Sequence, residues 1–371
     1  MTDIEALPTM DVRARAWRLR AVFAEAGCDA VLVTNPVNVR YLTGFTGSAG
    51  LLAVVPDGLL LVTDGRYRDQ ADLEATRAGV DLTVAVQGSS GGQREVLTTA
   101  FLGLDRLALE AASITWAAQR RYEHDWFPDH ELVPTEGMVE ALRVVKDDGE
   151  IARIAAAAAI ADEALETVKP SIVEGVTERE VAIGLDLAMR RAGASGSSFE
   201  TIVASGPNAA RPHARPGSRR MTAGDLVVID FGAVVDGYCS DMTRTFVLGT
   251  PSPTAARMLE VVAAGQSAGV AAVGPGVPCA EVDRAARAVI REAGWAEAFL
   301  HGTGHGVGLD IHEEPRVSAL STATLAPGHV VTVEPGVYLP DHGGVRIEDT
   351  LVVTSEGARP LTLASKDPAL P

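Results

Sequence analysis

The chain has 371 residues, of which 47% are hydrophobic and 22% charged, the balance of a folded globular protein long enough for two domains. Its formal net charge is -17, and its densest basic stretch, Arg211 to Arg220, is short and broken by Pro and Gly. Such a chain repels a phosphate backbone, so nucleic-acid partners are excluded.

The opening residues contain no apolar run of the signal-peptide kind. Residues 30–34, 51–55 and 59–63 read as short apolar strands, the last two joined by the turn signal Pro56-Asp57-Gly58. Residues 71–78 and 116–124 read as helices, so residues 1–135 form an α/β domain. A stretch rich in Pro, charge and loop formers puts the boundary near Pro134 to Gly137, and the second domain is expected over residues 138–371. Met138 is expected to open a long helix with an Ala-rich centre, ended by Pro170. The most apolar helical run, residues 154–161, falls far short of the roughly 20 residues that span a bilayer. Cys28, Cys239 and Cys279 are scattered and odd in number, which suits a reducing compartment. A cytoplasmic protein away from membranes is the expectation.

The second domain repeats itself. Gly175-Val176, Glu180-Val181, Arg190 and Ala192-Gly193 recur 101 residues later as Gly276-Val277, Glu281-Val282, Arg291 and Ala293-Gly294. The run from Gly224 to Gly232, holding Asp230, recurs 104 residues later from Gly328 to Gly336, holding Glu334. Asp241-Met-Thr243 matches Glu348-Asp-Thr350 at an offset of 107. Three matches in one order argue for a pseudo-twofold α+β core with its site on the axis.

Asp230 ends an apolar strand, and such a carboxylate is costly to bury without a partner or a metal. A hairpin at Asp236-Gly237 would bring Asp241 beside it. Glu334 and Glu348 repeat the arrangement. A lone strand-ending Asp is ordinarily solvated or capping, but four carboxylates in symmetric pairs require cations or strongly shifted pKa values. His305 stands between glycines that would allow close approach to a ligand. Four carboxylates with one imidazole suit two divalent ions, Mn²⁺ foremost, with Co²⁺ or Zn²⁺ as alternatives.

These motifs resemble the M24-type "pita-bread" metallopeptidases, in the Xaa-Pro aminopeptidase and prolidase branch. The match lies in Asp230 and Asp241 with ten residues between them, His305 in HGxGHxxG, Glu334 in EPG and Glu348 in RIED. Asn38-Val-Arg-Tyr-Leu-Thr-Gly-Phe45 resembles the creatinase-type amino-terminal domain of the same branch, so the resemblance spans nearly the whole chain. It implies metal-dependent hydrolysis of Xaa-Pro bonds, with the five residues as ligands and Glu334 also as general base. It further implies catalytic roles for His213 and His312, a proline pocket lined by His301, and an Arg346 that contacts substrate or orients ligands. His329 and His342 match no such role. A homodimer is expected on the same ground.

Within the branch, a dipeptidase must recognise the carboxylate that follows proline. Arg211 and Arg215 flank His213, and Arg40 is a third candidate cation, so the dipeptidase is favoured over an aminopeptidase acting on longer peptides. Methionine aminopeptidases usually lack a comparable first domain, and creatinase lacks the ligand set. Binding modules on this fold have lost ligands that this chain keeps.

Overall fold

The computed structural model describes residues 6–370, which divide into two compact units. The first, Met10–Arg143, is an α/β unit. Its strands β1 (Ala30–Val33), β2 (Gly50–Val55), β3 (Gly58–Thr63), β4 (Thr83–Val86), β5 (Arg106–Glu110) and β6 (Glu131–Thr135) form one sheet in the order β4-β3-β2-β1-β5-β6. Strand β2 runs antiparallel to both neighbours, and the remaining pairs are parallel. The expected turn places Val55 opposite Gly58, so Pro56 and Asp57 make a two-residue hairpin. Helices α1 (Val12–Arg20), α2 (Phe23–Ala26), α3 (Pro36–Thr43), α4 (Arg68–Ala78), α5 (Ser90–Ala100) and α6 (Trp116–Arg121) complete the layers with α7 (Met138–Arg143). Leu32, Phe101, Leu107, Trp126 and Phe127 fill the core between sheet and helices.

The units divide after Arg143, not at residues 135–138, because α7 is bound into the first unit. Asn38 donates to Glu140 (2.6 Å), Arg143 donates to Asn38 (2.8 Å) and the Tyr41 hydroxyl donates to the Leu142 carbonyl (2.9 Å). The helix opened by Met138 is also shorter than its helix-forming sequence suggests. It stops at Arg143, and Asp147 starts a new one by accepting from the Glu150 amide while Glu150 accepts from Asp147. The capping signal Asp147-Asp-Gly-Glu150 was legible in the chain.

The second unit takes the rest, with residues 6–9. Helices α8 (Asp148–Val168) and α9 (Glu178–Ala192) precede strands β7 (Gly196–Ser197), β8 (Ile202–Ser205), β9 (Leu226–Phe231), β10 (Ala233–Val235), β11 (Tyr238–Cys239) and β12 (Met242–Val247). Helices α10 (Pro253–Ala272) and α11 (Cys279–Glu292) then precede β13 (Gly304–Gly306), β14 (Glu313–Val317), β15 (Val330–Val333), β16 (Gly336–Leu339), β17 (Gly343–Arg346), β18 (Asp349–Val353) and β19 (Ala358–Pro360). The repeat is therefore structural: a helix pair followed by an antiparallel sheet, twice. Strand β9 pairs with β12 and puts Asp230 opposite Thr243; β15 pairs with β18 and puts Val333 opposite Asp349. The alanines of α8 are buried at 157, 158, 161 and 164, and their small side chains let the helix pack closely on β10, where Ala233 and Val235 share its core. Among the described residues no helix is long and apolar enough to cross a membrane.

Lys146, just before α8, reaches Glu313 at the start of β14, the strand paired with the one that carries His305 (2.8 Å; side chains 1% and 6% exposed). Breaking a buried pair leaves an uncompensated charge, so Lys146→Met is expected to cost about 3–5 kcal/mol in chemical denaturation. Lys146→Met with Glu313→Gln should recover part of the loss, and a single variant as stable as the parent would refute the assignment.

Candidate active site

Four of the five sequence-derived ligands sit at or beside a strand end, and His305 sits within a short strand. Asp230 is the fifth residue of β9, Asp241 immediately precedes β12, His305 is the middle of β13, and Glu334 follows β15. Glu348 lies in the two-residue gap between β17 and β18. The hairpin at Asp236-Gly237 exists, with positive φ at both residues, but it joins β10 to β11. The pairing of β9 with β12 is what brings Asp241 back toward Asp230.

One donor atom from each of Asp241, His305 and Glu348 lies within 4.8 Å of the other two. His305 Nε2 is 3.5 Å from Asp241 Oδ2 and 3.3 Å from Glu334 Oε1. Its Nδ1 lies 3.0 Å from the Gly306 carbonyl, which favours the tautomer protonated there and leaves Nε2 facing the acids as a ligand. The glycines around His305 serve a different purpose from the one anticipated. A Cβ at Gly304 would fall 2.0 Å from the Thr332 carbonyl oxygen and one at Gly306 2.2 Å from that of Glu314. They admit the flanking strands, not a ligand.

Two threonines, marked by the repeat but given no role in the sequence reading, brace the acids, one at a carboxylate and the other at the main chain. Thr243 Oγ1 donates to Glu348 Oε2 (2.7 Å), and its repeat partner Thr350 donates to the Asp241 carbonyl (2.8 Å). Arg346 is buried and donates to Asp230 (2.5 Å), to Thr243 Oγ1 (3.1 Å) and to the Tyr338 hydroxyl (2.8 Å). Tyr338, which the sequence reading missed, also lies 2.9 Å from His301 Nε2. Alternation in β16 and the close Gly344 opposite turn it inward.

The acids line a cavity of about 600 Å³ with His213, His301, His312, Arg215, Arg316 and Arg346. His312 packs edge-on to His305, ring centroids 4.4 Å apart. Burial holds both His301 and His312 below the usual imidazole value; for His312 the neighbouring His305 adds to this. The cations sort differently from the sequence reading. Arg211 does not line the cavity, and Arg215, on its rim, is mostly exposed and paired with Glu200 (3.2 Å). Arg40 stands on α3 of the first unit. Arg316, unflagged in the sequence, lies on β14 and lines the cavity too, half-exposed and with its Nε 3.9 Å from Glu314. Only the pairing of β14 with β13 brings it there, eleven residues beyond His305. His329 is buried away from the cavity, with Nδ1 accepting from the Ala326 amide.

The donor set fits a pair of divalent ions. Asp230 Oδ1 and Glu348 Oε1 are buried with no hydrogen-bond partner among the described residues, a cost that a cation would remove. Burial, then mutual repulsion, pushes Asp241 and Glu348 well above the usual carboxylate range, and burial raises Asp230 despite Arg346. Glu334 resists its burial because the His305 hydrogen bond and the His305, His301 and Arg346 charges hold it down at about 2. A raised folded-state value stabilises below the ordinary carboxylate range and is lost as pH rises through the raised value. Glu334 acts oppositely, its contribution vanishing only as pH falls toward about 2. Metal-free protein should therefore lose thermal stability as pH climbs from about 4 toward neutrality, and Mn²⁺ at 100 times its Kd should restore about 2.7 kcal/mol. A metal-free melting temperature that rises over that interval would contradict this.

Comparison with known proteins agrees with this geometry. Residues 152–355 match the model of metallopeptidase family M24, and residues 15–145 match the creatinase/prolidase N-terminal domain. A Xaa-Pro dipeptidase of Pyrococcus furiosus is 35% identical over 96% of this chain and 99% of its own. The solved structure of a Xaa-Pro dipeptidase from Bacillus anthracis superposes with a TM-score of 0.90 at 40% identity, covering 95% of this chain and 98% of that one. That of an X-Pro aminopeptidase from Thermotoga maritima gives 0.86 at 34%, covering 94% and 99%. With an acid-lined cavity in a twofold-repeated core and both domain models matched, the chain belongs to metallopeptidase family M24 and carries the creatinase/prolidase N-terminal domain.

Proposed function

We propose that this protein is a Xaa-Pro dipeptidase that works with two divalent ions held by Asp230, Asp241, His305, Glu334 and Glu348. The observation that carries the reading is the convergence of Asp241, His305 and Glu348 to within 4.8 Å beside two partnerless carboxylate oxygens. When bound, such ions polarise a carbonyl and supply a nucleophile at neutral pH. Mn²⁺ is the preferred metal because the set is dominated by carboxylate oxygens.

The residues divide the remaining work. Glu334, ionised and within reach of His305, accepts a proton at its carboxylate and returns it to the departing proline nitrogen, which has no N–H in the peptide. His312 is kept neutral by burial, so it can donate one N–H to the scissile carbonyl oxygen as negative charge develops there. His213 faces the same cavity and orients the substrate near the scissile bond. His301, held from behind by the Tyr338 hydroxyl, forms a wall suited to the proline ring, and Arg346 fixes Asp230 and Tyr338 in place.

Specificity for dipeptides is assigned to Arg316, in place of Arg211, Arg215 or Arg40, as the cavity-lining cation nearest in sequence to His312 and so placed to meet the free carboxylate. Relatives named Xaa-Pro dipeptidase in two organisms favour the same reading. The competing reading is an aminopeptidase, favoured by the likeness to the Thermotoga enzyme. Arg316→Met is expected to raise KM for Ala-Pro by about 10–100-fold, the range for a charged hydrogen bond, and to spare Ala-Pro-Ala. Tripeptide cleavage by the parent as fast as dipeptide cleavage would overturn the dipeptidase. No metal-dependent cleavage of either would leave a binding module.

Cytoplasmic residence is part of the proposal, consistent with three cysteines that form no disulfide. So is a homodimer, which follows from the family resemblance. A monomeric mass in light scattering would remove it.

A further inference from the structure

His213 lies on an irregular, exposed stretch between β8 and β9, yet the proposed chemistry needs it held in the cavity. An unrestrained loop would have to be ordered on every binding event, at an entropic cost. The residue that restrains it lies on another element. Glu178, the first residue of α9, is fully buried, and both of its carboxylate oxygens are turned to the loop. Oε1 accepts from the Ser205 amide (2.8 Å), the Ser205 hydroxyl (2.8 Å) and Asn208 Nδ2 (3.0 Å) at the start of the loop. Oε2 accepts from Asn208 Nδ2 (3.2 Å) and the Gly217 amide (3.1 Å) at its far end. One side chain thus ties together residues 205 and 217, which bracket Pro212, His213 and Arg215 of the cavity wall.

Helix capping does not account for this carboxylate. The α9 N-terminus is already served by Thr177 and Glu180, each accepting from the other's backbone amide. Glu178 makes its bonds outside the helix, and the helix dipole there favours its negative charge. Arg219 strengthens the far end by donating to Ser205 Oγ (2.7 Å) and Asp225 (2.6 Å). We infer that Glu178 is a positioning residue that pins both ends of loop 206–216 and so holds His213 over the substrate carbonyl. The inference rests on the peptidase reading above.

The test uses the metal-loaded, full-length protein with Glu178→Gln, whose amide meets the loop's donors with a donor of its own. Asn208→Ala, which removes two of the bonds and spares the carboxylate, is the second variant should the first not fold. Each should lower kcat/KM for Ala-Pro by about 10–100-fold, the scale on which a misplaced catalytic group costs rate. Added to His213→Ala, neither should cost anything further, because the residue being positioned is gone. Hydrogen exchange of amides 205–217 should quicken roughly tenfold, with α8 and the metal content unchanged. A loss of equal size in the His213→Ala background, or unaltered exchange in both variants, would overturn the inference. A parent protein that cleaves no Xaa-Pro peptide would sink the peptidase reading alone, since the exchange measurement still decides the clamp.

Discussion

Glu348→Gln is expected to fold and to lose Ala-Pro hydrolysis by about 10³-fold or more, since metal participation supplies several kcal/mol of transition-state stabilisation. The substitution is nearly isosteric, and Thr243 can still donate to the remaining carbonyl oxygen. What disappears is one negative charge from a buried group of acids, hence much of the hold on a divalent ion. Removing a like charge from that group should also relieve the metal-free protein. The variant should therefore melt higher than the parent in chelator, while showing reduced metal content by elemental analysis. Full metal content with full activity would remove Glu348 from the ligand set.

Glu334→Gln tests a different link. Gln keeps an oxygen that can face the ions but, as at Glu348, removes a charge from the acid group, so rates are compared at saturating Mn²⁺ with metal content measured beside them. It cannot accept a proton at all, whereas the Glu334 carboxylate is ionised and can. Loss of general acid–base help is expected to cost roughly 10²–10⁴-fold in kcat with little change in KM. Loss of metal in proportion to loss of rate would make Glu334 a ligand alone.

Two of the five ligands, Asp230 and Glu334, share a property that made them readable. They follow the runs Val227-Val228-Ile229 and Val330-Val331-Thr332-Val333, where a carboxylate has no cheap reason to be. The repeat then paired Asp230 with Glu334 and Asp241 with Glu348, and it also marked Thr243 and Thr350, whose bonds to Glu348 and to the Asp241 main chain went unread. His305 has no repeat counterpart, so two ions held by this proposed set would be chemically unlike. Within the first unit, hairpin and strand spacing were equally legible, because turn chemistry is local.

The chain by itself determined the two-domain α/β plus repeated α+β plan, the acid and imidazole set and the family resemblance, all of which rest on periodicity and short motifs. Tertiary structure alone decided three things. It moved the division between units past α7, because Asn38 binds Glu140 and Arg143 across about a hundred residues of chain. It set Arg211 outside the cavity and put Arg316 beside Arg215 on the cavity wall, because antiparallel pairing of β13 with β14 carries Arg316 there. It turned the glycines beside His305 from a ligand's approach into a strand's. Each of these depends on contacts between segments far apart in the chain, and no local pattern encodes which partner a side chain will meet.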